Sequence, residues 1–115
     1  MVIKRSQTTE IKANAESTIW DYPMPTEETG ITFQTLTGRL PEKGWYINKV
    51  CHEIIFITDG KAEINIDGES HQLEKGDVVI LKPGQKHFGK YLKTSLITIT
   101  SPNWYEEQCD ILDEK

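Results

Sequence analysis

Apolar and polar positions alternate along most of the chain. Runs rich in Ile, Val, Thr and Tyr, such as "ITFQTL", "WYINKVCHEIIFIT", "KAEINI", "DVVILK" and "TSLITIT", are separated by the turn-forming stretches "YPMP", "PEKG", "TDG", "DGES", "EKGD" and "KPGQ". Short strands bounded by Gly, Pro and Asp at regular intervals predict an all-β sandwich or barrel. In "AEINI", Ala62, Ile64 and Ile66 share one face and Glu63 and Asn65 the other, the period of a half-buried strand. Asp59-Gly60 and Asp67-Gly68 supply the residues of tight hairpin turns. The one stretch with helical character is "PNWYEEQ", with Ser101 or Asn103 as a cap.

The same alternation bears on Cys51-His52-Glu53, three consecutive residues of metal-ligating type. Successive strand side chains point to opposite faces. If residues 47–58 are extended, Ile47, Lys49, Cys51, Glu53, Ile55 and Ile57 share a face, and Asn48, Val50, His52, Ile54 and Phe56 share the other. Cys51 and Glu53 then reach one site and His52 does not. Apolar residues on both faces predict that Val50, Ile54 and Phe56 need cover from another strand, the N-terminal segment or a second chain.

Composition narrows the setting. The chain has 115 residues, with 13 Lys+Arg against 18 Asp+Glu, a net charge of -5. That balance argues against nucleic acid, which needs a clustered basic face, and against an anionic membrane surface. No apolar run approaches the ~20 residues that span a bilayer, and "MVIKRSQTTE" lacks the apolar stretch of a signal peptide. The reading is a cytoplasmic protein whose Cys51 and Cys109 are reduced thiols.

The stretch from Gly44 to Gly60 resembles the first motif of the cupin superfamily: Gly, five residues, His-x-His, three or four residues, Glu, six residues, Gly. Gly44, Glu53 and Gly60 fit it. "GDVVILKPGQKHFGKY" resembles the second motif through Gly76, Gly84 and His87, with the proline one place late at Pro83. The resemblance implies one domain over residues 1–115, a double-stranded β-helix or jelly-roll barrel of antiparallel strands, often a homodimer. It also implies a metal site of three His and one Glu, from which this chain departs. The first-motif histidine positions fall on Ile47 and Lys49, or on Tyr46 and Asn48 in the longer spacing, and the second-motif asparagine position is Tyr91.

Two readings of Glu53 follow. A carboxylate removed from water needs a partner, and Lys49, on the same strand face, is the nearest cation in sequence. Alternatively Glu53, His87 and Cys51 ligate a divalent metal, an arrangement that the missing imidazoles disfavour. His87 has the chemistry of an acid/base group near neutrality, and Tyr91 has its parity. The expected pocket is therefore Lys49, Cys51, Glu53, His87 and Tyr91. Trp45, Tyr46 and Trp104 are rim or packing candidates, Arg39 is a solvated charge or an anion clamp, and His52 and His71 lie at the surface. Three functions are compatible with these residues. One is binding of a small polar molecule in the barrel. Another is a metal-dependent or acid/base enzyme, an isomerase, lyase or oxygenase, acting on a small metabolite. The third is an interaction module working through its outer sheet.

Overall fold

The computed structural model describes residues 1–113. Nine antiparallel strands make one continuous curled sheet that closes into a jelly-roll barrel: β1 (Thr9–Asn14), β2 (Ser17–Asp21), β3 (Gly30–Leu40), β4 (Trp45–Asn48), β5 (His52–Ile66), β6 (Glu69–Glu74), β7 (Val78–Leu81), β8 (Lys86–Ser101) and β9 (Cys109–Leu112). Among the described residues only two single 3₁₀ turns accompany the strands, Arg5–Gln7 and Glu106–Gln108. "PNWYEEQ" thus forms one 3₁₀ turn rather than a helix. Among the described residues no helix is long and apolar enough to cross a membrane.

The two longest strands organise the rest. β8 pairs with β3 along one edge and with β5 along the other, and its first residues also pair with β4. The hairpin expected at Asp67-Gly68 joins β5 to β6. Asp67 (φ 53) and Gly68 (φ 95) both take left-handed backbone angles there, as a two-residue turn between twisted strands requires. No hairpin forms at Asp59-Gly60. β5 runs straight through it, because its whole length is paired to β8. The turn residues are absorbed instead as bulges, with register shifts between Ile57 and Asp59 and between Asp59 and Lys61. β3 shifts register between Leu36 and Gly38, opposite the same part of β8. The three strands bend along one line, marked by positive φ at Gly38, Gly60 and Lys93. Bulges that raise local twist are how a sheet curls into a barrel.

From Cys51 to Ile57 the expected parity holds: Cys51, Ile55 and Ile57 are buried, while His52, Ile54 and Phe56 are exposed. Leu36, Ile55, Ile57, Ile64, Val79, Leu81 and Leu96 form the core. Burying each such side chain contributes roughly 1.5–3 kcal/mol. This cluster plugs one part of the barrel and leaves the other part open.

Candidate functional site

The open part is a cavity of about 480 Å³. Leu36, Ile55 and Leu96 belong both to its wall and to the core, so the plug is its closed end. The lining residues Trp104, Glu106 and Ile111 are exposed and mark its mouth. Its polar wall combines Tyr46 and Asn48 from β4, Glu53 from β5, and His87 and Tyr91 from β8. The fold brings them together across a long path. Glu53 pairs with Thr100, and Ile66 pairs with His87, at opposite ends of the β5–β8 ribbon. Thirteen residues at about 3.3 Å each would separate them by roughly 40 Å in a flat sheet. The bend at the bulge line removes that separation.

Local sequence sets each group. His87, Gly89 and Tyr91 share a face of β8. A Cβ at Gly89 would stand on the Tyr91 phenol, so glycine there lets the ring fold back over the strand toward His87. The Tyr46 and His87 rings lie 5.8 Å apart. Asn48 donates from Nδ2 to Glu53 Oε1 at 2.8 Å, and its Oδ1 accepts from Gln108 Nε2 at 2.9 Å. Gln108 Oε1 in turn accepts the backbone N–H groups of Val50 (3.2 Å) and Cys51 (3.0 Å). The polarity of this relay follows from its end. Backbone N–H groups can only donate, so Gln108 must turn its oxygen to them and its NH₂ to Asn48. Asn48 must then turn its own NH₂ to Glu53.

Burial governs the titrating groups. It lowers the His87 pKa below the ordinary histidine value, while Glu53 chiefly, then the Gln85 backbone and Asp67, pull the other way. The imidazole is 8% exposed, and its buried Nδ1 has no hydrogen-bond partner among the described residues. Burial, then the charge of Cys109 and of Glu53, pushes the Tyr46 phenol up. Burial, then Glu53 and Tyr46, pushes Tyr91 up further. Cys109 lines the cavity with its thiol pushed up to about 11, again by burial first. At neutral pH the wall therefore presents neutral imidazole, phenol and thiol.

Two expected pocket residues lie elsewhere. Lys49 is at the surface, its ammonium 3.5 Å from Asp110, with both side chains about half exposed. The reason is that β4 ends at Asn48 and the chain turns before β5, which resets the parity. Asn48 faces inward instead and is the partner that Glu53 takes. Replacing Lys49 with Ala is accordingly expected to cost less than about 1 kcal/mol in urea unfolding. A loss of several kcal/mol would mean that Lys49 supports Glu53 after all. Cys51 is fully buried outside the cavity lining, with its S–H directed to the Pro102 carbonyl at 3.3 Å. Burial, then Glu53, raises its pKa, which leaves a thiol rather than a thiolate. Arg39 is no anion clamp. Its guanidinium binds the Pro41 and Gly44 carbonyls and stacks 4.0 Å over Phe88. Trp45 packs edge-on against Phe88, and Trp104 stands at the mouth. Tyr46 and Asn48 were present in the longer motif spacing, whereas Cys109 and Gln108 carried no signal.

The donor set fits a divalent metal poorly. Tyr46 and Asn48 stand where the longer first-motif spacing calls for imidazoles. Asn48 has both ends of its carboxamide engaged, and a phenol held protonated offers a weak lone pair. Among the described residues no three His, Cys, Asp or Glu side chains gather as a metal site would need.

The family profile described as a cupin domain matches residues 34–91, half of the chain. The chain belongs to the cupin family. Several solved structures resemble it in backbone. A nucleoside dehydratase from Streptomyces superposes with a TM-score of 0.86 over 98% of this chain and 91% of that one, at 7% identity, and has also been solved with uridine. KdgF from a Halomonas species gives 0.73 over 90% and 96%, at 14% identity. An RmlC-like cupin from Shewanella frigidimarina gives 0.69 over 84% and 86%, at 17% identity. At these identities the likeness is one of fold. No curated protein matches by sequence.

Proposed function

We propose that this cupin binds a small polar molecule in its barrel and that the polar wall performs metal-independent acid–base chemistry on it. The observation that carries this reading is the convergence of Tyr46, Glu53, His87 and Tyr91, from three strands, on one wall of the cavity. His87, neutral at physiological pH, and the Glu53 carboxylate, held by Asn48, are both proton acceptors, and the one that takes a proton can return it. Tyr46 and Tyr91, kept protonated, can donate hydrogen bonds to an oxygen that gains charge during reaction. Proton removal from carbon followed by return of the proton to another carbon gives an isomerisation, and delivery of the proton to a neighbouring hydroxyl, whose C–O bond breaks so that it leaves as water, gives an elimination. The dehydratase of similar fold is an instance of the latter chemistry in a barrel of this shape. The experiment is a screen of small polar metabolites by protein-observed NMR with chelator present. A hit should move the Tyr46, His87 and Tyr91 resonances and lose at least about tenfold in affinity in His87→Ala. Hits that bind only outside the barrel would refute the proposal.

The outer sheet supports a homodimer. Ile54 and Phe56 of β5, Ile80 and Val78 of β7, and Ile99 of β8 are exposed, and the register places Ile54 beside both Ile80 and Ile99, and Phe56 beside Val78. Elsewhere on the outer face Arg5 covers Trp20 and Phe33 from the N-terminal turn. The five aliphatic and aromatic side chains carry no charge and can pack on the same face of a second copy. Light scattering at tens of micromolar should give a dimer mass, and Ile80→Lys should reduce it to that of one chain.

A further inference from the structure

The charges around the cavity point to the class of ligand. Three acidic side chains line it, Glu53 on the polar wall, Asp21 at the end of β2 and Glu106 at the mouth. Among the described residues no Lys or Arg lines it. The nearby cations are directed elsewhere. Arg39 is engaged by backbone carbonyls and Phe88, Lys49 pairs with Asp110, and Lys86 lies over the Trp45 ring at 4.7 Å. The other polar groups of the wall, among them Tyr46, Asn48, His87, Tyr91 and Asn103, are uncharged donors and acceptors.

From this arrangement we infer that the natural ligand carries hydroxyl or amine donors and no phosphate or carboxylate. The inference rests on the cavity being a binding site and deepens that reading. Recognition of a phosphate or carboxylate relies on Arg, Lys or a fan of backbone N–H groups at a helix start. Among the described residues the barrel has no such helix, and a phosphate within it would face Glu53 and Asp21, with Glu106 at the mouth. Carboxylates can only accept hydrogen bonds, so a ligand that satisfies Glu53 must donate. Asp21 has its pKa raised by burial, a further sign that negative charge is unwelcome in this part of the wall. Apolar surface from Leu36, Ile55 and Leu96 suits the carbon skeleton of a sugar or nucleoside, and Trp104 at the mouth offers a face for a ring.

The test uses two matched pairs, uridine with uridine 5′-monophosphate and galactose with galacturonate, titrated calorimetrically at physiological ionic strength. The uncharged member of a binding pair should bind at least about tenfold tighter than its acidic counterpart. In Asp21→Asn that gap should narrow severalfold, because one of the repelling carboxylates is gone while the polar wall is intact. Equal or tighter binding of the monophosphate or the uronate overturns the inference and leaves the binding site standing. A gap unchanged in Asp21→Asn also overturns it, since the discrimination would then have another origin. Failure of all four compounds to bind in the cavity removes the binding reading and this inference together.

Discussion

Replacing Gln108 with Met should cost roughly 3 kcal/mol or more of folding stability, read from urea unfolding. Methionine keeps the volume and fills the site without a cavity. What it removes is the relay that ends at Glu53. Gln108 is 1% exposed and Asn48 is 2% exposed, so water cannot replace the lost partners. Three groups are orphaned at once: the Asn48 Oδ1 and the backbone N–H groups of Val50 and Cys51. Each buried orphan costs about 1–3 kcal/mol, with the exposed position of Val50 softening its share. Against a typical domain stability of 5–15 kcal/mol this is a large fraction. Glu107, the exposed neighbour in the same 3₁₀ turn, is the control: Glu107→Met should stay within about 0.5 kcal/mol. The effect extends to the site. Without Gln108 the Asn48 carboxamide is free to turn over and present its oxygen to Glu53, so ligand affinity should fall as well. If Gln108→Met loses less than about 1 kcal/mol, the relay does not hold the site together.

That relay marks the limit of what the chain alone discloses. Glu53 and His87 are legible because two glycine-bounded motifs bracket them, and because strand parity separates Glu53 from His52 whatever the fold. Tyr91 follows His87 by parity within an unbroken strand. Lys49 and Asn48 exchange faces because β4 stops at Asn48 and the chain bends before Cys51. Alternation carries information only as far as the backbone stays extended, and nothing in "YINKVCHE" marks the break. Gln108 stands 60 positions from Asn48, and a contact of that range leaves no local pattern. The apolar face of Ile54, Phe56, Val78 and Ile80 is visible in the sequence as an excess of apolar positions, but only the register shows that these side chains adjoin.

Gly60 carries the second large expected effect, and it shows why a turn signal can be read correctly and placed in the wrong structure. Asp59-Gly60 has the composition of a hairpin, yet it sits where β5 bulges against β8 at the line along which the sheet bends. Gly60 has φ 79, a left-handed angle that a β-carbon makes costly, about 1–3 kcal/mol. Space adds to the penalty. A Cβ there would lie 2.8 Å from the Thr94 Cα and nearer still to the Lys93 carbonyl oxygen, both backbone atoms of the neighbouring strand. Overpacking of this kind costs a further 1–3 kcal/mol or so. Gly60→Ala should therefore lose roughly 3–5 kcal/mol in chemical unfolding. Gly68 separates the two contributions. Its φ is 95 and a Cβ would meet nothing within 4 Å, so Gly68→Ala should cost only about 1 kcal/mol, the backbone angle alone. The two variants also differ at the site. Gly68 belongs to a hairpin that β5 and β6 can adjust, whereas Gly60 lies at the bend that carries His87 back toward Glu53. Any Gly60→Ala protein that folds should show altered His87 and Tyr91 resonances and weakened ligand binding, with Gly68→Ala matching the native protein in both. Equal losses from the two substitutions would mean that the bulge line is not what closes the barrel around its ligand.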